Sequence, residues 1–187
     1  MDINENINPW TIVDYSSVYN NSWIELTEYN VINPNNGIGI YGRVHFKNIA
    51  IAILVLDKKY NTWLVGQYRF PLNKYSWEII EGGGDLNTNP IESAKRELKE
   101  ETGIVAKNWT TILEMDLSNS VTDERSISFV AKDLSFEDAE PEETEQLQIK
   151  KIPFSELYKM VMNGDIRDSL TVATVLKTKI LIDNGKL

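Results

Sequence analysis

Glu97, Glu100 and Glu101 fall at positions i, i+3 and i+4 of the segment PIESAKRELKEET at 90–102. On a helix that spacing puts all three carboxylates on one face. Like charges so placed cost a few tenths of a kcal/mol per pair, roughly. They also crowd the last turns, where the helix dipole disfavours negative charge. Lys95, Arg96 and Lys99 offer partial compensation. One reading is a solvated acidic face. The other is a face of hard oxygen ligands for a divalent cation such as Mg²⁺, which takes a few carboxylates and shares phosphate oxygens with a substrate. The approach to the segment favours the second reading. Glu78, Ile79, Ile80 and Glu81 lead into Gly82, Gly83 and Gly84, and glycines let a backbone bend and come close to a ligand.

The elements that must hold this face can be read locally. The 90–102 helix has Pro90 in its first turn and Asn89 as cap, with Glu92 placed for a capping box. Ile91, Ala94 and Leu98 form its apolar stripe, and Gly103 stops it. Ahead of it, IAIAILVL at 49–56 reads as a buried strand, TWLVGQYR at 62–69 as a second and SWEII at 76–80 as a third. EGGGD at 81–85 is expected to break regular structure. Strands are expected near 110–117, 126–132 and 147–152, and helices near 154–162 and 169–182, the last capped by Asp168. Upstream, 10–19, 22–32 and 38–46 are β-rich with a PNNG turn at 34–37, and the first eight residues read as a frayed terminus. Strands and helices mix without regular βαβ alternation, so an α/β fold with a mixed sheet and packed helices is expected. Residues 1–46 form a small N-terminal antiparallel β arm in this reading and 47–187 the catalytic domain.

Composition removes several classes of function. The 187 residues contain no cysteine and one histidine, His45. Disulfides, thiolate zinc sites, cysteine nucleophiles and multi-histidine metal sites are excluded, and His45 is read as structural. Trp10, Trp63 and Trp109 are read as packing residues. The balance of 19 basic against 28 acidic residues gives a net charge of -9 and a pI near 4.7. That argues against nucleic acid and against an anionic membrane as partner. No apolar run approaches the roughly 20 residues of a membrane span. The polar, acidic start lacks a signal-peptide core. A cytoplasmic protein is expected.

The stretch GGGDLNTNPIESAKRELKEETGI from Gly82 to Ile104 resembles the Nudix box, G-x5-E-x7-R-E-U-x-E-E-x-G-U with U aliphatic. Gly82, Arg96, Glu97, Leu98, Glu100, Glu101, Gly103 and Ile104 match in register. The first glutamate of the box falls on Thr88, which implies an altered brace between loop and helix. Gln67-Tyr68-Arg69, Trp77-Glu78, the Thr122–Arg125 stretch and the acidic loop before Leu147 resemble the ADP-ribose and nucleoside-diphosphate-sugar pyrophosphatases of this family. The resemblance implies a Nudix α/β/α sandwich that hydrolyses a diphosphate. It implies Mg²⁺, with Mn²⁺ as the alternative, held by Glu97 and Glu101 directly, by Glu100 through water, and by the backbone carbonyl of Glu81. Arg96 would brace the box. In the loop Glu140–Glu145, Glu143 is the implied base and Glu145 a metal or water partner, with the exchanged roles open. Arg69 and Glu124 are implied substrate contacts, and Trp23 and Tyr41 of the arm would stack a base. Such family members are arm-exchanging homodimers, so a homodimer is expected. Two alternatives stay open: another nucleotide substrate (a dinucleoside polyphosphate, coenzyme A or an oxidised nucleoside triphosphate), or a Nudix domain that senses a nucleotide without cleaving it.

Overall fold

The computed structural model describes residues 6–139 and 146–187. The chain divides into two compact units. The first comprises the described residues up to Asn48 together with Asp116–Glu124. The second comprises Ile49–Met115 and Arg125–Leu187.

The first unit is an antiparallel sheet of β1 (Thr11–Asn20), β2 (Ile24–Ile32) and β3 (Ile38–Phe46), in the order β1-β2-β3. Asn33 closes the β2–β3 turn by accepting from the amides of Asn35 and Gly37 at 2.9 Å each, an Asx turn of the kind the PNNG signal implies. The Asp116–Glu124 segment docks on β3. Val44 donates its amide to Val121 O at 2.9 Å, and the Tyr41 hydroxyl donates to Ser120 O at 2.6 Å. His45 Nδ1 lies 2.8 Å from Asp123 Oδ2, and the Phe46 amide donates to Asp123 Oδ1. His45 therefore has the structural role expected of it.

The second unit continues with β4 (Asn48–Val55), β5 (Asn61–Arg69), a 3₁₀ turn at Phe70–Leu72, β6 (Lys74–Glu78), β7 (Ile80–Asp85) and α1 (Pro90–Thr102). There follow β8 (Ile104–Asp116), β9 (Arg125–Phe136), β10 (Gln148–Pro153), α2 (Phe154–Met162) and α3 (Ser169–Asp183). One sheet has the order β7-β4-β9-β8, with β4 and β9 parallel; the other has the order β10-β5-β6, all antiparallel. Strand alternation shows how the helices cover the first sheet. Ile49, Ile51, Ile53 and Val55 of β4 and Phe129 and Ala131 of β9 share a core with Ala94 and Leu98 of α1. Ser128, the neighbour of Phe129, points the other way and accepts from the Thr174 hydroxyl of α3 at 2.8 Å. Successive strand residues face opposite sides, so α1 and α3 lie on opposite faces. This is the expected α/β/α sandwich.

Two local expectations change. Residues 81–85 do not leave regular structure: Ile80–Asp85 is β7, because Glu81–Gly84 run alongside the buried Ile49–Val55 strand and gain its ladder. The capping box does not form either. Asn89 accepts from the Ile91 amide at 3.3 Å, but the Glu92 carboxylate pairs with Lys95 at 2.8 Å instead of reaching back. Gly103 ends α1 as expected, in the left-handed region with φ 68°. A side chain there would also strike Glu137 O. The strand after it starts at once, at Ile104.

The turn between β4 and β5 is fastened by Asp57. Its carboxylate accepts from the Lys59 and Asn61 amides at 2.8 Å each and from Asn61 Nδ2 at 2.9 Å, and it pairs with Lys151 of β10 at 2.9 Å. Burial opposes its charge, but these donors outweigh burial and hold its pKa well below the ordinary 3.8. Asp57→Ala is expected to cost about 1–2 kcal/mol. Because the folded pKa is depressed, that contribution is present above the unfolded pKa and fades as pH falls. Thermal unfolding of the two proteins should differ at pH 7 and converge as the pH falls below about 4.

Candidate active site

β7 and α1 place the acidic residues singled out above. Leu98 and Ala94 are fully buried against the sheet, which fixes the rotation of α1 and turns Glu97 toward β7. The approach is close: a Cβ at Gly82 would overlap the Glu97 carboxyl group. Only glycine leaves that space. Arg96 then ties the loop to the helix. Its Nη2 donates to Glu97 Oε1 at 2.6 Å and to Gly83 O at 3.0 Å, and its Nη1 donates to Glu100 Oε2 at 2.6 Å. The bracing role inferred for Arg96 is thus visible as geometry. Thr88 lies exposed in the turn before α1, its amide donating to Asp85 O.

Burial raises the Glu97 pKa, Arg96 beside it opposes that, and the like charge of Glu100 adds to it. Glu101 is only 4% exposed. Among the described residues no three His, Cys, Asp or Glu side chains converge as a cage, and the Arg96 guanidinium bridges Glu97 and Glu100. The residues present nevertheless fit a hard divalent cation. The donors are carboxylate oxygens, they are half-buried or buried on one helical face, and the Gly82 cradle admits the backbone to the same place.

Behind β7 lies a network that the sequence does not advertise. Arg69 Nε donates to both oxygens of Glu78 at 3.1 and 3.0 Å, and Nη2 donates to Glu78 Oε2 at 2.5 Å. Arg69 Nη2 is also 3.7 Å from Glu81 Oε2. The Thr171 hydroxyl donates to Glu81 Oε1 at 3.0 Å and accepts from the Ile79 amide at 3.1 Å. Burial, and then the neighbouring Asp168 carboxyl, push the Glu81 pKa well up. Arg69 also lines a cleft of about 360 Å³ with Lys74, Ser76, Arg167 and Ser169. Asp168 was legible only as a helix cap, and it does accept from the Thr171 amide at 2.7 Å. Its nearness to Glu81 was not legible, because some ninety residues separate them.

Of the other candidates, Trp23, Tyr41 and Glu124 belong to the first unit. Trp23 is exposed at the start of β2, whereas Tyr41 pairs with Tyr29 five registers along β2, so the two rings do not meet within one chain. Trp10 is the ring beside Tyr41, edge-on at 5.3 Å between centroids. With Tyr29, Arg43 and Ser120 they line a cavity of about 340 Å³. Burial raises the Glu124 pKa. Glu143 and Glu145 lie outside the described residues. The segment leading to them is anchored on α1: the Glu137 amide donates to Gly103 O at 2.7 Å and its carboxylate pairs with Lys99 at 2.8 Å.

The fold and this loop-and-helix site define a class. The NUDIX domain model matches residues 46–171, and the chain belongs to the NUDIX family. Its sequence is 31% identical over 131 residues to an ADP-ribose pyrophosphatase of Mycobacterium tuberculosis, covering 68% of this chain and 63% of that one, somewhat under two thirds of the relative's length. It is 30% identical over 128 residues to an ADP-ribose pyrophosphatase of Bacillus subtilis, covering 67% of this chain and 69% of that one. A crystal structure of an ADP compounds hydrolase shares the fold with a TM-score of 0.85 at 21% identity, covering 98% of this chain and 100% of that one.

The Gly82 contact yields a test. Gly82→Ala must displace the end of a flexible side chain rather than backbone, so the melting temperature should change by only a few degrees, on the scale of about 1 kcal/mol. The displaced group is Glu97, so Mn²⁺ affinity measured by electron paramagnetic resonance should fall about 10- to 100-fold. Unchanged Mn²⁺ affinity would separate Glu97 from metal binding.

Proposed function

We propose that this chain hydrolyses the diphosphate linkage of ADP-ribose or another nucleoside diphosphate sugar, releasing a nucleoside monophosphate and a sugar phosphate. The observation that carries the reading is the close approach of Glu97 to the Gly82 backbone, on the helix that also bears Glu100 and Glu101, in a chain similar to two ADP-ribose pyrophosphatases. Glu97 and Glu101 would hold the metal directly, Glu100 through water, and Glu81 through its carbonyl. The ion assigned is Mg²⁺, with Mn²⁺ the alternative. When bound, it supplies positive charge to the phosphoryl oxygens and lowers the pKa of water.

The remaining work falls to the chain itself. Glu143 takes a proton from the attacking water, and Glu145 orients it. Water oxygen bonds to one phosphorus as the bond to the bridging oxygen breaks. Arg69 has Nε and Nη2 committed to Glu78, and we assign its cleft, with Lys74 and Arg167, to a phosphate or sugar hydroxyl of the substrate. Tyr41 and Trp23 are assigned to the base, which stacking on an aromatic ring holds by about 1–3 kcal/mol, and Glu124 to the substrate loop.

The chain is also read as a homodimer. All ten residues of β1 are exposed, including Ile12, Val13, Tyr15, Val18 and Tyr19, an apolar strand that a second copy would cover. No described helix is long and apolar enough to cross a membrane. The lack of cysteine suits a reducing compartment, and the cytoplasm is the assignment made here.

Turnover of ADP-ribose, ADP-glucose, UDP-glucose, GDP-mannose, a dinucleoside tetraphosphate and coenzyme A, with and without Mg²⁺, tests the activity. Metal-dependent cleavage of ADP-ribose or a nucleotide sugar is expected. Glu101→Gln should keep the melting temperature within a few degrees and lower kcat by about 10²-fold or more. Glu143→Gln and Glu145→Gln, compared by their pH–rate profiles, assign the base. Tight nucleotide binding without any cleavage would replace this reading with a sensor. Light scattering at micromolar concentration should return twice the chain mass; a monomer overturns the dimer.

A further inference from the structure

The Thr171 hydroxyl is completely buried and reaches across to the strand break that precedes the glycine run. β6 ends at Glu78 and β7 begins at Ile80, so Ile79 lies between two strands. Its amide finds its acceptor on Thr171, at 3.1 Å. The same hydroxyl gives its proton to Glu81 Oε1 at 3.0 Å. One oxygen atom, contributed by a helix about ninety residues downstream, thus ties the Ile79 backbone to the Glu81 side chain across Ile80. Thr171 is itself held from the rear, because its amide donates to the Asp168 carboxylate that caps α3. The next residue along β7 is Gly82, whose backbone abuts the Glu97 carboxylate.

We infer that Thr171 is a positioning residue for the metal site: its hydroxyl sets the path of the Ile79–Glu81 backbone and so the aim of the Glu81 carbonyl. The inference rests on the assignment of that carbonyl as a metal ligand. It follows from where the ladder beside β4 begins: β7 starts at Ile80, so Ile79 at its entry lies outside it. Glycines at 82, 83 and 84 impose no backbone preference of their own, so the direction in which the chain enters them must be set upstream. A buried hydroxyl that both accepts and donates does this with two bonds that water cannot replace. Outer groups that orient metal ligands typically change affinity about 10- to 100-fold when removed.

The experiment is Mn²⁺ binding to the enzyme without substrate, followed by electron paramagnetic resonance, alongside kcat at varied metal concentration. Thr171→Val removes the hydroxyl and keeps the shape. It should weaken Mn²⁺ about 10- to 100-fold, and turnover should recover at saturating metal. Thr171→Ser should restore wild-type affinity. Thr174→Val is the control, since Thr174 is an equally buried hydroxyl on the same helix whose partner is Ser128. It should lower the melting temperature and leave Mn²⁺ affinity unchanged. If Thr171→Val does not fold, Glu81→Leu removes the hydroxyl's acceptor from the other side and should weaken Mn²⁺ likewise. Wild-type affinity in whichever of these folds, or equal weakening by Thr174→Val, overturns the inference. Failure of the wild-type protein to bind Mn²⁺ overturns instead the metal assignment beneath it.

Discussion

Three carboxylates in the last turns of one helix repel one another and are repelled by the helix end they occupy. Much of the second unit can be understood as the means of holding them there. Ala94 and Leu98 seat α1 in the core it shares with β4 and β9, so the helix cannot roll to spread its charges into water. Arg96 spans Glu97 and Glu100 and reaches Gly83 O. The charge strain is therefore compensated by one guanidinium rather than dispersed. A cation at this face would share the compensation with Arg96. That is why an arrangement unfavourable as a bare helix is coherent as a ligand-binding surface.

The other face of the same sheet is built on a different principle. Ser126 and Ser128 of β9 and Ala52 of β4 are small, and α3 meets them with Thr171, Thr174 and Thr178, all fully buried. Short hydroxylated side chains let helix and sheet backbones come close, and a hydroxyl buried there needs a partner inside the protein; among the described residues the Ser126 and Thr178 hydroxyls have none. Thr174 finds Ser128, while Thr171 finds Ile79 and Glu81. The polar packing that seats α3 is in this way also what reaches the loop behind the acidic face.

The first unit depends on a clasp rather than a core. Val31 and Thr27 are its buried side chains on β2, while β1 is exposed along its whole length. What holds the Asp116–Glu124 segment on β3 is a set of directional bonds: His45 with Asp123, Tyr41 with Ser120, the Val44 amide to Val121 O, and the Asp123 amide to Val44 O. Burial works against the Asp123 charge, but His45 and the Phe46 amide outweigh it and lower its pKa. The surface of this unit is left rich in exposed aromatic and branched residues.

What the chain's own order of residues determined was whatever depends on neighbours a few positions apart. The 90–102 helix, its apolar stripe, its stop at Gly103, the buried strand at 49–56 and the helices after 153 and 168 were all legible, because helical and strand periodicity are local properties. So was the acidic face with its arginine, since i, i+3 and i+4 are neighbours on any helix. The tertiary structure alone decided the rest. Glycines 82–84 read as a break because glycine has no local preference for a strand, yet the ladder beside β4 makes them one. Glu92 read as half of a capping box, yet Lys95 competes for it. Arg69 carried no mark of its pairing with Glu78, nor Thr171 of its grip on Ile79 and Glu81. The first pairing forms across the paired strands β5 and β6; the second joins residues some ninety positions apart, which only the packing of α3 on the sheet brings within hydrogen-bond reach.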